Sequence, residues 1–274
     1  MIKQASLQDL SFFLNAAKKE GWNPGLSDAD PFFAADPKGF FIEQVDGKTI
    51  GSISAVAYNN DYGFMGFYIV QPDYRGKGYG MKLWSRAIDY LGNRAIGLDG
   101  VVEQQENYKK SGFTFHNNNI RFSGIIPGKP DASLVTLQNI SYDILEAYDT
   151  QVVGYDRTPF LKEWIKMPNA VCLAKTKSGT LQGYGVIRKC FEGYKIGPLF
   201  ADTPEIAESL LLALAAETHG DTLFLDVVQT HNDALKLAEK YHLKKVFETA
   251  RMYKGTPPTQ DLSKVFGITT FELG

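Results

Sequence analysis

Gln71-Pro72-Asp73-Tyr74-Arg75-Gly76-Lys77-Gly78-Tyr79-Gly80 joins an apolar stretch, 64–70, to a segment of helical periodicity. In that segment Leu83, Trp84, Ala87, Ile88 and Leu91 share one face, and Lys82, Arg86 and Asp89 the other. Glycines between a strand and a helix let backbone N–H groups turn toward a ligand without Cβ clashes. The free N–H groups of the helix's first turn, at the positive end of its dipole, favour an anion. Arg75 and Lys77 add positive charge, so a pyrophosphate is the natural occupant. Two phosphate loops are excluded. No run G-x-x-x-x-G-K-[ST] exists, and G-x-G-x-x-G fails at Met81 counted from Gly76 and at Leu83 counted from Gly78.

Outward from this loop the pattern alternates between the two periodicities. Upstream, Ser6 with Asp9 three residues on opens a helix, and Pro31 opens a shorter one over 30–35. Strands are predicted at 40–45, 50–58 and 64–70, separated by Asp46-Gly47 and Asn59-Asn60-Asp61, the turn chemistry of an antiparallel meander. Downstream, 95–101 reads as a short apolar strand and 104–111 as a helix stopping at Gly112. The stretch 113–126 reads as one or two closing strands interrupted by Asn117-Asn118-Asn119.

Arg75-x-x-Gly78-x-Gly80 in this setting resembles the signature Q/R-x-x-G-x-G/A of the GNAT superfamily of acyl-CoA-dependent N-acetyltransferases. The resemblance implies acetyl-CoA as cosubstrate, held by Arg75, Gly76, Lys77, Gly78, Tyr79 and Gly80 in a splay between the fourth and fifth strands. It implies that N–H groups near Ile69 and Val70 polarise the thioester carbonyl and that an amine attacks directly. Tyr108-Lys109-Lys110-Ser111-Gly112-Phe113 is similar to the family's second signature, which casts Tyr108 as the acid that protonates the leaving thiolate. The family's asparagine seven residues earlier is replaced by Val101, so either Gln104 and Gln105 substitute for its contacts or the CoA sits slightly differently.

After Pro127-Gly128-Lys129-Pro130-Asp131 the element order repeats with little identity: helices at 142–149 and 159–165, strands at 170–175, 183–188 and 194–200, a helix from Thr203-Pro204 to Ala216, a strand at 223–228, a helix at 233–241 and a strand near 251–253. The expectation is an α+β chain of two tandem GNAT-like domains, 1–126 and 134–274, each a mixed, mainly antiparallel sheet flanked by helices. The second half has lost the loop: Phe200-Ala201-Asp202-Thr203-Pro204-Glu205 holds no glycine, and its two carboxylates repel a pyrophosphate. One cofactor site, in the first half, is therefore expected. Ile196-Gly197-Pro198-Leu199, Leu225-Asp226-Val227, Arg251-Met252-Tyr253-Lys254-Gly255 and Phe266-Gly267-Ile268 resemble tandem GNAT proteins of the holothin acetyltransferase group.

The acceptor is then a small-molecule or peptide amine. Along 62–70, alternate residues face it: either Tyr62, Phe64 and Tyr68, or Met65 and Phe67. Asp226, at the end of an apolar strand, is a candidate contact for a cationic acceptor. Glu43, Glu103 and Asp226 are candidate bases, with water as the alternative. A non-catalytic acyl-CoA-binding module is the rival reading. The formal net charge of -2 argues against nucleic acid as partner. His116, His219, His231 and His242 have no metal-ligand spacing, and Cys172 and Cys190 form no CxxC pair. With no apolar leader and no apolar run of spanning length, a cytoplasmic location is expected. Oligomeric state is left open.

Overall fold

The computed structural model describes residues 1–274. In the first half β1 (Ile2–Gln4), a 3-10 turn at Leu7–Asp9, α1 (Leu10–Lys19) and α2 (Ala29–Ala35) precede the meander β2 (Phe40–Val45), β3 (Lys48–Ala57) and β4 (Tyr62–Val70). α3 (Tyr79–Leu91), β5 (Ala95–Val101), α4 (Gln105–Lys110) and β6 (Thr114–Gly124) follow. The Asp9 carboxylate accepts from the Ser6 N–H at 2.8 Å, so the predicted cap forms, one turn ahead of the α-helix proper. α3 lays Leu83, Trp84, Ala87 and Leu91 on the sheet, the face that its periodicity predicts.

After a two-residue strand β7 (Val135–Thr136), the second half repeats the order. α5 (Tyr142–Val153), α6 (Thr158–Trp164), β8 (Ala170–Lys177), β9 (Thr180–Lys189), β10 (Tyr194–Ala201) and α7 (Pro204–Ala216) come first. β11 (Leu223–Val228), α8 (Asn232–Lys240), β12 (Lys244–Lys254) and a short β13 (Val265–Gly267) complete the chain. The chain thus has the predicted mixed, mostly antiparallel architecture in tandem. No helix is long and apolar enough to cross a membrane.

The halves are not merely joined end to end. The strand order is β1-β2-β3-β4-β5-β12-β6-β11-β10-β9-β8-β7, with β13 beside β10. The closing strand of each half therefore pairs with the last parallel strand of the other: β12 on β5, and β6 on β11. β6 and β12 run antiparallel between them. β6 is continuous through Asn117-Asn118-Asn119, where Asn117 Nδ2 donates to Asn119 Oδ1 and Asn119 Nδ2 to Asp99 Oδ1, each at 2.8 Å.

Two matching ion pairs hold the exchange. Arg251 on β12 donates to both oxygens of Asp99 on β5, at 2.9 and 2.6 Å. Arg121 on β6 donates to both oxygens of Asp226 on β11, at 2.7 Å each. In each case the two residues face one another in the ladder, and all four side chains are buried. Removing one partner of such a pair strands a desolvated charge, at a cost of about 3–5 kcal/mol.

Candidate active site

β4 and β5 pair in parallel only from Tyr62↔Ala95 to Met65↔Leu98. Beyond Met65 they part, and a cavity of about 630 Å³ occupies the splay. One side is floored by β4 and covered by the loop at Arg75 and Gly76 and by Gly80 and Trp84 of α3. The opposite side is walled by Trp22 and by second-half residues: Phe247 and Thr249 of β12, Phe271 and Glu272 of the tail after β13. The exchanged strand is what brings the second half to the first half's cleft.

The anion end has the features a pyrophosphate needs. Gly76 and Gly78 have φ of 71° and 83°, and no heavy atom lies within 4 Å of where a Cβ would stand. That left-handed backbone is open to glycine at little cost and strained for other residues. No side chain caps α3, and the first N–H to return to the loop is Lys82 N, on Gly78 O at 3.2 Å. The N–H groups of Tyr79, Gly80 and Met81 are left free for a ligand. Arg75 is braced by Nε on Val70 O at 2.7 Å and by Glu20, and Lys77 by Asp73 O at 2.8 Å.

β4 carries a bulge at the mouth of the splay. Its register on β3 slips between Ser52 and Ser54, Phe67 takes φ 48°, and Ser52 Oγ donates to Phe67 O at 3.0 Å. A bulky residue in the left-handed region is strained, and here it lies where two strands diverge around a cavity. The bulge breaks the alternation expected of the strand, so Met65, Phe67 and Tyr68 all reach the cavity wall, whereas Tyr62 and Phe64 remain in the core. Gln71 N bonds Ile50 O, so the ladder pairs Ile69 with Ser52 and turns the Val70 N–H away from β3. Val70 can present a backbone donor to the splay, and Ile69 lines it with its N–H directed to β3.

Tyr108 enters from α4. Its ring stacks on Trp84 at 5.6 Å and it shares the cavity wall with the loop. Burial, with the neighbouring Tyr68 phenol, pushes its hydroxyl up to about 12, so it is a proton donor at neutral pH. Val101 and Gln104 line the cavity beside it, and Gln105 does not.

The proposed base residues are placed elsewhere, with one exception. Glu43 holds the N-terminal amine at 2.6 Å and is absent from the cavity wall. Both oxygens of Asp226 are taken by Arg121, and the residue is absent from the wall. Its expected contact with a cationic acceptor does not match this placement, because the strand exchange supplies Arg121 as its partner. Glu103 lies on the wall but is exposed. Glu272, which no sequence pattern singles out, is on the wall and buried.

A profile of the acetyltransferase (GNAT) family matches residues 7–113, and one of the acetyltransferase (GNAT) domain matches 145–267. Holothin acyltransferase of Pseudoalteromonas sp. (strain SANK 73390) is 33% identical over 99% of this chain and 94% of its own length. The chain belongs to the GNAT acetyltransferase family. It is an acyltransferase enzyme. A putative acetyltransferase from Pyrococcus horikoshii superposes with a TM-score of 0.86 at 22% identity, covering 100% of this chain and 95% of that one. A tandem GNAT protein from the clavulanic acid biosynthesis pathway superposes at 0.64 with 12% identity, covering 92% and 97%. Both likenesses are of fold.

Within this GNAT pair the second half has its own parallel strands, β10 and β11, which also part, after Ile196↔Leu225. There β13 fills the gap, pairing Leu199 with Gly267 and Phe200 with Val265 on β10. Ile268 N then bonds Asp226 O at 2.9 Å on β11. At the helix start, Thr203 Oγ1 accepts from Ile206 N, and Pro204 occupies the first turn.

Proposed function

We propose that the first-half cavity transfers an acetyl group from acetyl-CoA to a primary amine by direct attack, with one acetyl-CoA per chain. The observation that carries this reading is the uncapped start of α3 opening onto the same cavity as the Tyr108 phenol. Arg75, Lys77 and the N–H groups of Tyr79, Gly80 and Met81 would hold the pyrophosphate. Bound there, acetyl-CoA supplies the thioester carbonyl and a thiol leaving group. The Val70 N–H polarises the carbonyl oxygen, and the Tyr108 hydroxyl gives its proton to the departing sulfur.

The acceptor enters from the opposite side, between Trp22, Phe67, Phe247 and Phe271. Four aromatic walls favour a small flat amine. The named substrate of the curated relative, holothin, is the first amine to try. The halves 1–126 and 134–274 thereby divide the labour: the first binds the cofactor, and the second closes the acceptor side.

Release of CoA thiol on adding holothin, or a simple arylalkyl amine such as benzylamine, tests the reaction. Calorimetric titration with acetyl-CoA should give a stoichiometry near one. A value near two, or acetyl-CoA binding with no thiol released to any amine, overturns the reading.

A further inference from the structure

We propose that Glu272, carried in by the tail after β13, receives the acceptor's ammonium group and takes up its proton. The inference rests on the acyl-transfer reading above and names the residue that this reading lacks.

Position comes first. The tail crosses β4 at Gly66, the residue after the last β4–β5 pair. A Cβ on Gly66 would stand 2.0 Å from the Glu272 carbonyl oxygen, so the tail can lie there only against a glycine. The tail is pinned on both sides of Glu272. Arg157 Nη1 donates to Thr269 Oγ1 at 2.9 Å, and Tyr58 Oη donates to Leu273 O at 2.7 Å. Glu272 thus stands at the point where the strands part, on the aromatic side of the cavity.

Its carboxylate is unlike the others nearby. Residue 272 is 3% exposed, yet Oε1 has no hydrogen-bond partner and the side chain joins no ion pair. Asp99 and Asp226 are each held by two bonds from an arginine, and Glu20 pairs with Arg75. A buried carboxylate left without a donor costs several kcal/mol unless a ligand supplies one. An ammonium arriving from the cavity is such a donor.

The surrounding charges leave room for it. Lys195 on β10, Arg121 on β6 and Arg188 on β9 act on Glu272, and Asp28 ahead of α2 opposes them. Arg121 is committed to Asp226 and Lys195 Nζ to the Asn23 carbonyl at 2.7 Å; Arg188 bonds Asp28 through Nε and Nη2, and its Nη1 has no partner and joins no ion pair with Glu272. Glu20, Glu103 and Asp99 also face the cavity. Burial pushes the Glu272 carboxyl above the ordinary range. Lys195, Arg121 and Arg188 reverse part of that rise, and Asp28 adds to it.

The proton balance closes. The ammonium gives one proton to the Glu272 carboxylate, and the free amine's lone pair forms the C–N bond. The C–S bond breaks with its electron pair on sulfur, which takes the Tyr108 proton. The nitrogen's second surplus proton returns through water to the phenolate, and Glu272 releases its proton to solvent, so one proton leaves per turnover.

The test uses the full-length protein with acetyl-CoA and holothin, and with benzylamine as a second acceptor. Glu272→Gln keeps the side chain's shape. We expect kcat to fall about 10²–10⁴-fold, with acetyl-CoA affinity unchanged by calorimetry. In the wild type the rate rises with pH through the Glu272 pKa. In the variant it should climb only at alkaline pH, where free amine accumulates in solution. Glu272→Asp should recover part of the rate. A Glu272→Gln protein with wild-type kcat and pH profile overturns the assignment, as does one that has lost acetyl-CoA binding. A wild-type protein that binds acetyl-CoA and acylates neither amine nor any other overturns the acyl-transfer reading itself, a separate outcome.

Discussion

The chain contains the same cleft twice, and the two copies have diverged in opposite directions at each end. In the first, β4 and β5 part around about 630 Å³ of open space, and α3 begins with free N–H groups and no cap. In the second, β10 and β11 part around β13, and α7 begins with Thr203 accepting from its own backbone. A splay of parallel strands leaves unpaired backbone groups on both edges, and those groups must find partners. The first half leaves them at an open cavity, and the second satisfies them with its own chain. The segment that closes the second cleft then runs on to line the first, so one stretch of chain shapes both clefts.

The widest gap between the halves should appear in chemistry at Tyr108. Tyr108→Phe removes one hydroxyl and keeps the ring stacked on Trp84. Turnover should fall about 10²–10⁴-fold with acetyl-CoA affinity nearly constant. The phenol is protonated below its pKa of about 12, so the wild type should show no loss of rate from this group up to about pH 11. Steady-state rates across pH decide it, and an unaltered kcat would remove Tyr108 from the reaction.

The next largest effect should be shared by the halves. Arg121→Ala and Arg251→Ala each strand a buried aspartate and should cost about 3–5 kcal/mol in urea unfolding. Asp226 adds a pH dependence. Burial would raise its pKa, but Arg121, with Lys195 and Arg188, outweighs burial and holds it low. A carboxyl whose pKa is depressed in the folded state stabilises fully above the ordinary value of about 3.9, and that stability is lost as pH falls toward the folded pKa. Asp226→Asn should flatten this acid loss. If only Arg251→Ala destabilised, the two pairs would not be equivalent.

These pairs mark where sequence reading succeeded and where it stopped. β5 at Ala95–Val101 and β11 at Leu223–Val228 were legible to the residue, because apolar runs bounded by turns are local signals. The loop and Tyr108 were singled out by short motifs, which are also local, and the structure sets both on one cavity wall. Asp226 was conspicuous as a carboxylate in an apolar strand, but its partner lies 105 residues away, and no local pattern reports a strand exchange. Phe67 could not be oriented, because a bulge cancels the period-two rule on which orientation depends. Glu272 carries no local mark: burial, the Gly66 contact and the cavity all come from tertiary structure.

Charge at the loop should sharpen the contrast by a smaller amount. Arg75→Glu replaces a cation beside the expected pyrophosphate and sets a second carboxylate next to Glu20. Charge-assisted hydrogen bonds are worth about 1.5–3 kcal/mol, so acetyl-CoA affinity should drop roughly ten- to hundredfold. The Arg75 side chain is half exposed, so the unfolding midpoint should move little. Unchanged affinity by calorimetry would place the cofactor elsewhere.

The smallest effect separates two explanations for the closed second cleft. Thr203→Ala removes the hydroxyl that accepts from Ile206 N and should cost about 0.5–2 kcal/mol of stability. It frees an N–H at the start of α7, making that helix more like α3. β13 remains, because its partners are β10 and the Asp226 carbonyl, and Lys264 just before it is held by Asp202 at 2.9 Å. If the strand is what closes the cleft, acetyl-CoA stoichiometry stays near one and affinity at the first site is unchanged. If the cap is what matters, a second, weaker equivalent appears in the titration. The first result is expected, because one hydrogen bond at a helix end guards only the anion, whereas β13 occupies the space that the rest of the cofactor would need.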